Sequence, residues 1–276
     1  MSKKIRTAID PNSFTARPRA RWFTHTAILT RRSATRFLSD RTGLVLLLAH
    51  PFVMLALLSQ VFDPLTSDPR FPEGTPYSLF LLPTIIVMIA VSSAVLSGTA
   101  LVRELANGYT QRLWTMPISL SSLLVARSVT DTLRFVVQVL GLMLGGFLFL
   151  RMPPTWGILA ACAIGFALAL LLGWLFILLG ILVANAEKVQ MLGSFVMLPL
   201  IFGSPALVPY EALPGWLQAL SLLNPLAHAL ELVRGAVLGE VGGLVGPVFC
   251  LAAVVSSALL CVASSVLLEH KGETPG

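Results

Sequence analysis

The chain has 276 residues, of which 56% are hydrophobic and only 12% charged, with a mean hydropathy of +0.85. A soluble domain carries about 25% charged residues. The composition therefore excludes a soluble core with a single anchor and requires one polytopic membrane domain with short loops. The net charge of +6 is no sign of nucleic-acid binding, because its distribution follows membrane topology.

Residues 1–18 read as a disordered tail. Residues 19–42 mix Arg with Trp22, Phe23, Ile28, Leu29, Phe37 and Leu38. That mixture predicts a helix over 19–40 lying in the membrane interface, apolar face down and arginines toward anionic headgroups. The first 42 residues are polar and basic, so no cleaved leader is expected.

Residues 43–268 form the membrane domain. Six apolar stretches are candidate spans, at about 43–61, 79–102, 132–150, 157–184, 189–207 and 243–268. Arg134, near the start of the third, has to snorkel. Pro199 and Pro205 predict a kink in the fifth. His50 precedes Pro51 in the first span, either as a packing residue at a kink or as a pathway residue. Cys162, Cys250 and Cys261 fall inside spans and read as small packing residues without zinc spacing. Ala161, Gly165, Ala169 and Gly173 recur every four residues, as do Gly141 and Gly145, giving faces for close helix contact.

Sixteen of the nineteen Lys and Arg residues fall on one side of this topology. Ten lie in the first 42 residues, and Arg103, Arg112, Arg127, Arg134, Lys188 and Lys271 complete the set. Only Arg70, Arg151 and Arg234 fall opposite. The positive-inside rule then places both termini, including the tail 269–276, in the cytoplasm of a cell-membrane protein.

One stretch departs from a simple span. Residues 207–243 are apolar, yet Pro214, Gly215, Asn224 and Pro225 divide them into two helical pieces too short to cross. Broken backbone at membrane depth survives only where protein or water covers it. Residues 209–238 therefore read as a re-entrant helical hairpin before the last span. Arg234 is expected to pair with Glu231 or Glu211.

The chain has no phosphate-binding G-x-x-x-x-G-K-[ST] loop, no Gly-rich dinucleotide fingerprint, no H-E-x-x-H and no G-x-S-x-G. No catalytic or metal site is expected, and the spans read as almost free of carboxylates. Energy for transport has to come from another subunit.

The loop 103–131 reads RELANGYTQRLWTMPISLSSLLVARSVTD. Residues 104–114 can form a short helix, Met116-Pro117 ends it, and Ser119 can cap the next helix. Such a helix is either a docking device or an ordinary connector. The set Arg103, Glu104, Gly108, Leu113, Pro117, Arg127 and Asp131 resembles the cytoplasmic motif of ABC-2-type export permeases. The run Leu213-Pro214-Gly215-Trp216, then Asn224-Pro225, then Arg234-Gly235 resembles that family's signature before its last span. The likeness covers nearly the whole chain and is greatest to the daunorubicin/doxorubicin-resistance permeases of actinobacteria.

The resemblance implies an all-α permease subunit of an ATP-driven exporter for a hydrophobic or amphiphilic, drug-like or lipid compound. Residues 19–42 would be the connecting helix. Arg103, Glu104, Gly108, Arg112, Trp114 and Pro117 would couple to a separate nucleotide-binding subunit, which would hold ATP and Mg. Pro214, Trp216, Asn224, Pro225 and Arg234 would form a re-entrant gate. Phe52, Leu55, Leu79, Leu82, Ile86, Phe195 and Phe202 are candidates to line the path. A second permease subunit, identical or merely similar, would complete it, in contact with membrane lipids. The rival readings are an ion-coupled secondary transporter and an integral-membrane lipid-modifying enzyme.

Overall fold

The computed structural model describes residues 18–69, 71, 74–106, 120–150, 152, 155–239 and 245–273. Among these the regular structure is entirely helical. The helices are α1 (Pro18–Ser39), α2 (Arg41–Val61), α3 (Tyr77–Ala106), α4 (Leu120–Phe149) and α5 (Trp156–Val183). After them come α6 (Ala186–Phe202), α7 (Gly215–Leu223), α8 (Pro225–Leu238) and α9 (Val245–Glu273).

A helix stands where one was expected at 19–40, α1, which packs mainly on α4 and less on α2. It stops at Asp40, whose carboxylate accepts the Gly43 N–H at 3.0 Å and so caps α2. Of the tail expected at 1–18, residues 1–17 lie outside the described residues and Pro18 opens α1.

The bundle is organised around α3. Its most apolar window is 72% buried, against 17–39% for the other long apolar helices. It packs most extensively on α5 and also touches α2, α4, α6 and α8. Leu81, Leu82, Ile85 and Ile86 of α3 are buried with Ile164 of α5 and Leu230 and Val233 of α8. In lipid such packing draws on van der Waals contact rather than on escape from water, so close approach matters. A Cβ on Gly98 of α3 would collide with the Phe176 carbonyl of α5. The small-residue faces are used in part in the same way, with nothing among the described residues packed close against Gly173. Gly165 receives Ile86, and Gly141 and Gly145 of α4 receive Leu48 and Phe52 of α2.

Among the described residues five helices are long and apolar enough to cross a membrane: Arg41–Val61, Tyr77–Ala106, Ser122–Phe149, Trp156–Val183 and Val245–Leu268. The stretch expected as a fifth span, 189–207, forms the 17-residue helix α6. At 1.5 Å per residue it extends about 25 Å, short of the roughly 30 Å hydrocarbon core. Pro199 lies inside α6, while Pro205 falls in the turns beyond its end. A two-residue link joins α5 to α6. Ala184 takes a left-handed conformation there (φ 51°), and Asn185 caps α6 by accepting the Lys188 N–H at 2.9 Å. Leu46 and Leu57 on α2, Leu144 and Leu148 on α4, and Leu251 and Leu259 on α9 are exposed. Those outward apolar rows suit a lipid surround. The three cysteines are free and half-buried, on α5 and α9.

Candidate functional site

Polar groups gather at the two ends of α3. At one end, Arg103 and Glu104 lie in its last turns, both exposed. Arg127 of α4 donates from Nη1 to Glu104 Oε2, tying the end of α3 to α4. Asp131, one turn along α4, accepts the Ser97 hydroxyl and the Arg134 Nη1–H at 3.3 Å. Its Oδ2 lies 3.8 Å from Arg127 Nε. The Arg134 guanidinium also sits 5.4 Å from the centre of the Phe37 ring of α1. One network thus joins α1, α3 and α4.

This geometry corrects the extent of the expected loop. α3 runs to Ala106 and α4 begins at Leu120, so 103–106 and 120–131 are helical and the link is 107–119. Asp131 therefore stands within an apolar span, where a near absence of carboxylates was expected. A lone carboxylate there would be costly, and two arginines with a hydroxyl offset the cost. The spacing Arg127, Asp131, Arg134 places the three on one helical face and was the available signal. Nothing local in the sequence indicated Ser97 or Phe37. Gly108, Arg112, Trp114, Pro117 and Ser119 lie outside the described residues.

At the other end, α7 and α8 meet at Asn224, where Pro225 takes the first position of α8. Pro suits that position because its missing N–H would have no helical partner. The Asn224 Oδ1 accepts the Leu226 N–H at 2.9 Å, capping α8. Its Nδ2 donates to the carbonyls of Leu200 at 2.6 Å and Gly203 at 3.1 Å, at the end of α6. Those carbonyls are orphans of a helix C-terminus. His228 Nε2 donates to Leu222 O at 3.0 Å, closing α7. The link 203–214 is held in the same manner. Tyr77 and Thr84 of α3 each donate a hydroxyl at 2.6 Å, to Leu207 O and Ala206 O. Gln218 donates to Leu213 O at 2.9 Å.

Pro214 precedes α7, and Trp216 in its first turn is 69% exposed. Arg234 does not form the expected ion pair with Glu231 or Glu211. Both carboxylates face outward, whereas Arg234 turns inward and lies 3.9 Å over the Phe80 ring of α3. Its Nε and Nη2 are buried without a hydrogen-bond partner among the described residues. Phe80 belongs to an aromatic cluster with Phe71 and Tyr77, and Phe62 stacks on Tyr77.

The candidate path residues do not share one surface in this subunit. Leu55, Leu82 and Ile86 are core, with Leu79 packed against it. Phe52 lies against Phe149, with ring centroids 5.3 Å apart. Phe195 and Phe202 on α6 are 78% and 61% exposed. A cavity of about 770 Å³ opens instead among α1, α2, α3 and α4, beside the Arg127–Asp131–Arg134 network. Among the described residues no three His, Cys, Asp or Glu side chains gather as metal ligands.

The model of the ABC-2 type transporter family matches residues 24–238. The chain belongs to the ABC-2 type transporter family. It is thus a multi-pass membrane protein of a permease family whose members work with an ABC ATPase subunit. The chain is 28% identical over 264 residues to the daunorubicin resistance ABC transporter permease protein DrrB1 of Streptomyces coeruleorubidus. That match covers 92% of this chain and 88% of the relative. It is also 28% identical to the probable doxorubicin resistance ABC transporter permease protein DrrC of Mycobacterium tuberculosis, covering 88% and 86%. The polysialic acid transport protein KpsM of Escherichia coli is 26% identical, covering 77% and 80%.

Proposed function

We propose that this chain is the membrane subunit of an ATP-driven exporter that moves a hydrophobic or amphiphilic compound out of the cytoplasmic leaflet. Two permease subunits pair, and each docks on an ATP-hydrolysing subunit through the link 107–119 and the adjoining Arg103 and Glu104. The observation that carries this reading, in a chain of the ABC-2 family, is the Glu104–Arg127 pair. It fastens the two helices that emit the link, so a push on the link reaches α3 and α4 together. Relatives named for daunorubicin and doxorubicin resistance support an amphiphilic cargo.

In this reading both termini are cytoplasmic, α6 with the turns after it is a sixth crossing, and α7–α8 is a re-entrant gate at the outer face. The stitching of α7 and α8 onto α3 and α6 supports a hairpin that moves as a unit.

One observation favours an ion-coupled transporter, namely the carboxylate of Asp131 inside a span. Its two arginine partners argue against proton carriage, since protonation would leave Arg134 without a counter-charge and Arg127 with Glu104 alone. The test is transport in proteoliposomes holding this chain with an ABC ATP-binding subunit. ATP-dependent movement of an amphiphilic dye, unaffected by a protonophore, is expected. Movement driven by a proton gradient without ATP would overturn the reading.

A further inference from the structure

The cavity of about 770 Å³ has an uneven charge lining. Four arginines face it, Arg32, Arg36, Arg127 and Arg134, together with Asp40, Glu104 and Asp131. Every one of the carboxylates is engaged. Asp40 caps α2, Glu104 holds Arg127, and Asp131 holds Arg134 and lies beside Arg127. Arg32 and Arg36 have no ion-pair or hydrogen-bond partner among the described residues. They stand one turn apart on the α1 stripe that also brings Leu29, Ser33 and Phe37 to the cavity. Two exposed guanidinium groups, uncommitted among the described residues, therefore line a half-open cavity whose carboxylates are all engaged elsewhere.

A second cavity of about 380 Å³ continues from the first. The two share Gly43, Leu47, Leu96, Asp131 and Arg134. Its surface is mainly apolar, and beyond the shared residues it is lined by Leu46 with His50, Ser92, Ser93 and Gln138. A charged mouth thus leads to a channel that is apolar with a few hydrogen-bonding groups.

We propose that the first cavity binds the anionic headgroup of a membrane amphiphile, held between Arg32 and Arg36, with its upper chain in the second cavity. A planar guanidinium meets phosphate or carboxylate oxygens two at a time. Residues four apart on a helix have Cβ atoms about 5–6 Å apart, a spacing that lets both arginines reach one phosphate. His50, Ser92 and Gln138 suit the ester, amide or hydroxyl groups that follow a lipid headgroup. The assignment rests on the exporter reading for its place at the cytoplasmic leaflet and for its role in admitting cargo.

The test uses the full chain, delipidated in detergent and titrated with phosphatidylglycerol or phosphatidylcholine, with bound lipid read by native mass spectrometry. Wild type is expected to prefer phosphatidylglycerol. The double variant R32Q/R36Q should lower that affinity by about an order of magnitude and leave phosphatidylcholine binding and the thermal melt unchanged. R32K/R36K should fall between, because the charge stays and the fork is lost. R31Q, off the stripe, should match wild type. Equal affinity for the two lipids, or an equal loss in R31Q, would overturn the site. Displacement by inorganic phosphate as effective as by phosphatidylglycerol would assign the cavity to a soluble anion and overturn the amphiphile. Loss of lipid preference on adding the ATP-binding subunit would assign it to that partner. Selective binding without ATP-driven transport would overturn the exporter reading alone. ATP-driven transport without selective binding would overturn this site alone.

Discussion

The Arg234 guanidinium of α8 lies 3.9 Å over the face of the Phe80 ring of α3. A buried cation on an aromatic face contributes up to about 2 kcal/mol, and this contact clamps α8 to the central helix. Phe80→Leu removes both the ring face and buried volume. It should destabilise the protein by about 2–4 kcal/mol, read as a lower thermal midpoint in detergent. Arg234→Lys keeps the charge with a smaller, more strongly hydrated head, so a milder loss is expected.

Asn224 joins three backbone groups of two helices. Asn224→Leu strips partners from the Leu226 N–H and from the Leu200 and Gly203 carbonyls, at about 1–3 kcal/mol for each group left bare. Asn224→Asp keeps the acceptor for Leu226 but loses both donors, so it should lie between wild type and Leu. Thermal melts rank the stabilities. Export normalised to assembled complex shows whether the loss exceeds misfolding, as a gate requires.

Glu104 is about half exposed, so its pair with Arg127 contributes no more than about 1 kcal/mol to stability. Glu104→Ala should therefore leave folding intact while ATP hydrolysis and transport come apart. The exchange E104R/R127E should recover part of the coupling if the contact itself matters. Full export by Glu104→Ala would return the region to a plain connector.

Asp131 behaves differently because it is buried between two cations. Asp131→Asn leaves Arg127 and Arg134 without that counter-charge, and removing one partner of a buried pair costs about 3–5 kcal/mol. Poor expression or an early melt is expected, with partial recovery in D131N/R134Q. A stable Asp131→Asn with normal export would show the network to be dispensable.

Cysteine placed at Ser2 or Thr274 should resist an impermeant thiol reagent in intact cells, and at Ser67 it should react. External labelling at Thr274 would put an odd number of crossings between the termini, and α6 or the hairpin would then need a different path.

Periodicity and composition made the long helices legible, because twenty apolar residues in a row leave few alternatives. The break at Asn224-Pro225 was equally plain, since Pro cannot continue a helix and Asn offers both a donor and an acceptor. Boundaries at polar helix ends were not. Helix α4 begins twelve residues before its apolar run because its polar first turns pack on α1 and α3, a tertiary reason invisible locally. The direction of Arg234 was missed for a related cause. Sequence spacing offered Glu231, whereas the aromatic face that attracts the side chain comes from a residue more than 150 positions away. Leu55, Leu82 and Ile86, named as path candidates, are buried in a core drawn from helices far apart in sequence.

The 30-residue helix α3 carries both polar groupings. Glu104 stands near its last residue, while Tyr77, Phe80 and Thr84 grip α8 and the link 203–214 toward the first. Between Thr84 and Glu104 no proline interrupts it, and Pro83 alone omits a helical hydrogen bond. The helix is a stiff shaft with a single swivel just inside its far end. Axial displacement at Glu104 arrives whole at Thr84, whereas tilt can be absorbed at Pro83, so thrust travels along this shaft more faithfully than torque.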